Sequence, residues 1–420
     1  MIGAKNVPPQ SPHEVCLGVM PQTVGYGSAW WFLRLTGRFA VGIRRFRVAA
    51  RGVSLAFLLG LGACGTVGKD SGAANGAVGT LAEGFRIGLL LPEKTTARYE
   101  KYDRPSITRA VASLCPRCEL VYNNANHDHA TQRRQIDALL GDGVKVLILD
   151  AVDAKAIAPS VAKAKVFGAK VVAYDRLANG PVDAYTSFDN VEIGRMQGRA
   201  LLDAIRAGGD PRRGPIVMLN GSPEDPSAAE LKKGAHSVLD GRVTIAREYD
   251  IPGWNAAKAA DEAVSAFAAL GPGKVIGIYS ADDGMAGGVA AAMERSGVRP
   301  GTPLTGQDAE LAAIRRILLG TQTMTVYKPI GSEARSAARF AVDIACGKTV
   351  YGTTTVANGT TVSIPARLIP PVLVTSATIA GTVVEDSLIT AADLVHPSGR
   401  SPGRPAGAYG RRSPASRRAP

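Results

Sequence analysis

Residues 144–176 read VKVLILDAVDAKAIAPSVAKAKVFGAKVVAYDR, and the texture changes twice within them. VKVLILD (144–150) and AKVVAYD (169–175) are short apolar runs that each end in a carboxylate, and the segment near 154–167 between them is patterned as a helix. An apolar run without alternation fits a strand buried on both faces, the condition of a parallel sheet covered by helices. RIGLLL (86–91) and ELVYN (119–123) come earlier, with helical patterns near 104–114 and 128–141. A second series follows: PIVMLN (215–220), TIAREY (244–249), KVIGIYS (274–280) and TMTVYK (323–328), with helices expected near 226–240, 255–269, 284–296 and 309–319. Two such series predict two similar α/β lobes with parallel sheets.

The chain of 420 residues carries a formal charge of +13, which raises the question of nucleic acid. Charge is concentrated at the ends. Residues 1–63 hold seven Lys/Arg against one Glu, and residues 397–420 hold six Arg and no acid, so only +1 remains for 64–396. A nearly neutral body has no field to draw in phosphate backbones, and no nucleic-acid partner is expected.

The N-terminal end has the grammar of an export signal. Arg44, Arg45, Arg47 and Arg51 precede twelve apolar residues at 52–63, and Gly62-Ala63 lead into Cys64. Twelve residues span about 18 Å as a helix, short of the roughly 30 Å hydrocarbon core, so 41–63 reads as a signal peptide and not as a membrane span. Leu61-Gly62-Ala63-Cys64 resembles the bacterial lipobox, which makes Cys64 the expected lipid-bearing first residue of the mature chain. Residues 1–40 fit no part of such a signal, and Val41 is a candidate for the true start. Residues 64–83 are rich in Gly, Ala and Ser and read as a flexible tether, while the basic tail 397–420 reads as disordered. Cys115 and Cys118 form a C-x-x-C pair without a second pair to complete a zinc site. In an oxidising compartment a local disulfide is expected, with two free thiols as the alternative.

In open α/β sheets ligands bind beyond the carboxyl ends of the strands. Those positions supply Arg98 and Tyr99, Asp175 and Arg176, Asp225, Asp282 and Asp283, Gln307 and Asp308, and Lys328, with Trp254 in a loop before a helix. Charged planar groups can bridge adjacent hydroxyls, and aromatic rings can cover C–H faces, so the mixture suits a sugar. Each residue also has a plainer role: Asp175 or Asp283 as a helix cap, Trp254 as core. No G-x-S-x-G, Walker A, H-E-x-x-H or G-x-G-x-x-G sequence stands at a strand end, so no enzyme, metal or cofactor is expected.

AYDR (173–176), SFDN (187–190), GSP (221–223), AGG (286–288), GQDAEL (306–311) and GTQTMTVYKPI (320–330) resemble the periplasmic sugar-binding proteins of ABC transporters, most closely the D-xylose-binding members. The resemblance implies two Rossmann-like lobes joined by a three-segment hinge, the type I periplasmic-binding-protein fold. The expected lobes are 84–189 plus 329–357 and 190–328 plus 358–396. It implies a monomer that closes on a monosaccharide and docks on an ABC permease, held outside the cell membrane by a lipid anchor. Trp254 matches one stacking tryptophan of the family and Tyr99 replaces the other. Arg176, Asp225, Asp308 and Lys328 match polar sugar contacts. Two positions depart: Ser227 and Asp282 stand where the xylose-binding pattern has asparagine, and an aspartate lacks the amide donor. Xylose is therefore the first expectation among aldoses. A sugar sensor docking on a membrane receptor, or a LacI-type regulator, would share the fold; the regulator lacks support, since a leader stands where its helix-turn-helix would be.

Overall fold

The computed structural model describes residues 76–386 and 388–395. The leader, Cys64 and the tail 397–420 lie outside the described residues. The first lobe begins with β1 (Arg86–Leu91), α1 (Arg104–Leu114), β2 (Glu119–Asn124), α2 (His129–Gly141), β3 (Val146–Leu149), α3 (Ala158–Val166), β4 (Lys170–Tyr174) and β5 (Ala184–Phe188). The chain then enters the second lobe through α4 (Asn190–Ala207), β6 (Pro215–Asn220), α5 (Pro226–Leu239), β7 (Thr244–Asp250), α6 (Ala256–Leu270), β8 (Gly277–Ser280), α7 (Asp283–Ser296), α8 (Leu311–Leu318) and β9 (Thr325–Tyr327). It returns as α9 (Ile330–Ala345), β10 (Thr354–Val356) and β11 (Ile364–Ile369), and crosses again into β12 (Val372–Val374) and α10 (Ala391–Val395).

The first sheet has the order β10-β11-β5-β4-β3-β1-β2, parallel except at β10. β1, β3 and β4 at its centre are apolar after Arg86 and Lys170 at their starts, because both faces are covered. Ile87, Leu89 and Ile148 pack toward α1 and α9, whereas Leu90, Leu147 and Leu149 pack toward α2 and α3. The second lobe repeats the plan with β7-β6-β8 in parallel around Val217, Met218, Leu219 and Ile278.

Three expectations need correction. TMTVYK was expected as one more parallel strand; β9 instead pairs antiparallel with β12, because both run beside the hinge. Residues 358–369 do not belong with the second lobe, since β11 pairs in parallel with β5, Ala366 opposite Tyr185. The tether is also shorter than 64–83: the Val78 and Gly79 amides donate to Ala345 O at 2.8 and 3.1 Å, and Val78 packs on the first core. Cys115 and Cys118 are joined in a disulfide at the end of α1.

The lobes are linked by three crossings, at Phe188–Asn190, Tyr327–Ile330 and Ile369–Val372. Phe188, Met324 and Val326 form a small apolar cluster there with Ile369 and Leu373. That cluster sits under the cleft and fixes where the strand ends emerge.

Candidate functional site

All eight residues singled out from the sequence, Tyr99, Arg176, Asp225, Ser227, Trp254, Asp282, Asp308 and Lys328, line one cleft between the lobes. Arg98, Asp175, Gln307, Asn190 and Thr96 line it too.

The first lobe contributes a charged wall. Arg176 follows β4, and its guanidinium is buried among Asp225 (Nε–Oδ2 3.0 Å), Asp150 (3.5 Å), the Ala151 carbonyl (3.3 Å) and the Tyr99 hydroxyl (3.2 Å). Asp225 belongs to the other lobe, so this arginine spans the cleft. Behind it, Arg98 holds three carboxylates: Asp103 at 2.7 Å, Asp175 at 2.9 Å and Glu333 at 3.0 Å. Burial alone would raise Asp175, but Arg98, Lys328 and Arg176 outweigh it and hold the carboxyl down at about 2. Asp175 therefore stays ionised.

The second lobe contributes helix caps that also face the cleft. Asp225 caps α5 by accepting from Ser227 N at 2.8 Å, and Asp282 caps α7 by accepting from Met285 N at 2.8 Å. Caps of this kind are worth about 1 kcal/mol each, and each leaves a second carboxylate oxygen for other partners. Asp225 uses that oxygen to accept from the Trp254 indole at 3.2 Å. The indole lies over Gly221, where an added Cβ would come within 2.1 Å of the ring, so glycine is required for the ring to lie there. Lys328 Nζ sits 2.8 Å from Asp308 Oδ1 at the second crossing.

Burial, with the Asp308 charge nearby, pushes Asp282 well above the ordinary carboxylate range. A protonated Asp282 can donate one hydrogen bond, which restores part of what the family's asparagine offers. Its neighbour Asp283 is turned into the lobe, where Thr325 Oγ1 donates to it at 2.7 Å and Gln322 Nε2 at 2.7 Å. The pair is thus divided between cleft and core. Gln307 Oε1 is a buried acceptor without a protein partner.

Backbone strain gathers at the same place. Asp175, Trp254 and Asp308 all have positive φ, of 55°, 54° and 92°. Non-glycine residues adopt this region at a cost, and such residues cluster at ligand clamps. Of the cleft residues absent from the sequence-based site, Arg98 and Gln307 stood at strand ends and Asn190 within SFDN. Asp150 ends VKVLILD as Asp175 ends AKVVAYD, but it stands behind the cleft lining, with its carboxylate 3.5 Å from Arg176.

Residues 87–349 match the periplasmic binding protein domain. The chain belongs to that family. It is 33% identical over 322 residues to the D-xylose-binding periplasmic protein of Escherichia coli strain K12, covering 74% of this chain and 93% of the relative. A multiple sugar-binding periplasmic protein of Azospirillum brasilense is 33% identical over 351 residues, covering 76% of this chain and 94% of the relative. A solute-binding protein of an ABC transporter from Clostridium phytofermentans, solved with β-D-glucose, shares the fold with a TM-score of 0.69 at 23% identity, covering 74% of this chain and 99% of its own. The first two are sugar-binding proteins and the third a solute-binding protein of an ABC transporter, and none is an enzyme. Among the described residues no group of three or more His, Cys, Asp or Glu could hold a metal ion, and no helix is long and apolar enough to cross a membrane.

Proposed function

We propose that this chain is the extracytoplasmic sugar-binding component of an ABC transporter, anchored to the outer face of the membrane through lipid on Cys64. It captures one aldose, xylose first, between closing lobes and presents the closed form to a permease. Arg176 carries the reading: a buried cation from one lobe meets Asp225 of the other beside two aromatic rings. Hydroxyls in such a site replace protein partners, and a ligand lacking one leaves a buried charge unpaired. The departures at Ser227 and Asp282 favour tolerance of more than one aldose, in keeping with the multiple-sugar relative.

The test is a thermal-shift screen of the full chain against pentoses and hexoses, followed by calorimetry on the hits. Micromolar binding of at least one aldose is expected, about −8 kcal/mol. A screen in which no monosaccharide raises the melting temperature overturns the assignment. The anchor is tested separately: a Cys64→Ala chain should lose its partition into detergent, and unchanged partition would remove the lipid.

A further inference from the structure

A cavity of about 870 Å³ opens on the first lobe between α1, the N-terminal half of α9 and the end of β11, and it shares no residue with the cleft. Its volume falls within the range of about 300–1,000 Å³ usual for small-molecule sites. Four arginines line it, Arg109, Arg335, Arg339 and Arg367, and no acidic residue does.

Among the described residues only Arg339 of the four meets a carboxylate, Asp343 at 3.0 Å. Arg109 and Arg335 donate to the hydroxyls of Ser106 (3.2 Å) and Ser332 (2.9 Å), which leaves their charge uncompensated. Among the described residues Arg367 has no side-chain partner. Ser336 adds an independent sign. It is only 8% exposed and lines the cavity, yet its hydroxyl has no hydrogen-bond partner. A buried hydroxyl left unpartnered costs on the order of 1–3 kcal/mol, and this one lies just beneath the cavity floor. Gly331 and Ser332 of the first turn of α9 line the cavity, and that turn has no side-chain cap. Leu114, Phe340 and Ile369 make the rest of the wall apolar.

Guanidinium forks pair with phosphate oxygens two at a time, and an apolar wall accepts a carbon skeleton. We infer that this cavity is a second ligand site, for an organic phosphate ester, separate from the sugar cleft.

Phenyl phosphate and inorganic phosphate are the probes, because neither carries the ring of hydroxyls that the cleft would bind. Calorimetry on the full chain should give one saturable site for phenyl phosphate, at least tenfold tighter than for inorganic phosphate. The Arg335→Ala/Arg367→Ala double variant should bind at least tenfold more weakly, and Ser336→Ala several-fold more weakly. The two arginines are exposed, so the melting temperature should hold. Sedimentation of the unacylated chain with phosphatidylglycerol vesicles separates the two sources of phosphate: binding to vesicles alone, lost in the double variant, makes the ester a lipid headgroup. The site is refuted if no saturable binding of any probe occurs, or if binding survives in the double variant. Neither result bears on the aldose screen.

Discussion

Arg176 of the first lobe and Asp225 of the second meet at 3.0 Å, and no other ion pair in the cleft joins the two lobes so directly among the described residues. On the proposed function, the contact would make Arg176 a sensor of closure as well as a ligand group. Asp150 and Asp225 both lean on this one guanidinium, and burial pushes both carboxyls above their ordinary value, with Arg176 opposing.

Arg176→Ala should therefore abolish high-affinity aldose binding. Removing one partner of a buried charged hydrogen-bond set costs about 2–5 kcal/mol, a loss of roughly 30-fold to several thousandfold. The orphaned carboxyls can take up protons, so the fold should survive. Calorimetry alongside circular dichroism checks both halves; a folded variant with parental affinity would remove Arg176 from the site.

Gly221→Ala should weaken the same ligand by displacing the Trp254 ring, and with it the indole's hydrogen bond to Asp225. The new methyl would lie 2.1–2.6 Å from three atoms of the Trp254 ring, so the indole must leave its place. Affinity should fall about tenfold or more, and the tryptophan fluorescence of the free protein should shift. An unchanged spectrum with unchanged affinity would mean that the ring does not cover the sugar.

Much of this was legible in the chain because buried parallel strands leave long apolar runs, and their ends are where polar residues must appear. Most of the eight positions that line the cleft were reached that way, while Trp254 came from a loop and Ser227 from the family resemblance. What escaped is physically of another kind. β11 carries Pro365 and Arg367 and alternates in burial, so nothing in IPARLI marks it as the continuation of a buried sheet. Its place follows from pairing with β5, more than 170 residues earlier, which no local pattern encodes. Val78 docks through backbone amides, and a Gly/Ala-rich stretch does not advertise that. Asp150 acts only through Arg176, and Glu333 only through Arg98, across 235 residues of chain.

Asp282→Asn should stabilise the protein, more so as pH rises. The folded-state value of Asp282 is raised by burial and by Asp308. A carboxyl raised in the folded state contributes stability that is complete below its unfolded value, near 4, and is lost as pH rises through the folded one. Asparagine escapes that loss and still caps α7 through its side-chain oxygen. The variant's melting temperature should exceed the parent's at pH 7–8, with the gain shrinking toward about pH 4. A gain independent of pH, or a lower melting temperature at pH 8, would contradict a protonated Asp282. Because asparagine is what the xylose-binding pattern has here, xylose affinity should be kept or improved.

Arg98→Met removes the centre of the buried network while keeping an unbranched chain in its place. Asp103, Asp175 and Glu333 would lose their shared cation, although Tyr174 still donates its hydroxyl to Asp103. Breaking a buried ion set from one side costs about 3–5 kcal/mol, readable as a lower urea midpoint. Acid sensitivity supplies the second readout. Asp175, held at about 2 when folded, contributes stability that is present above its unfolded value near 4 and disappears as pH falls toward 2. A shift of that size amounts to on the order of 2–3 kcal/mol. Without Arg98 the main force depressing Asp175 is gone, so the variant should start lower and lose less between about pH 4 and 2. Parallel stability curves for parent and variant over that range would show that Arg98 does not set the ionisation of Asp175, and that the arginine serves packing alone.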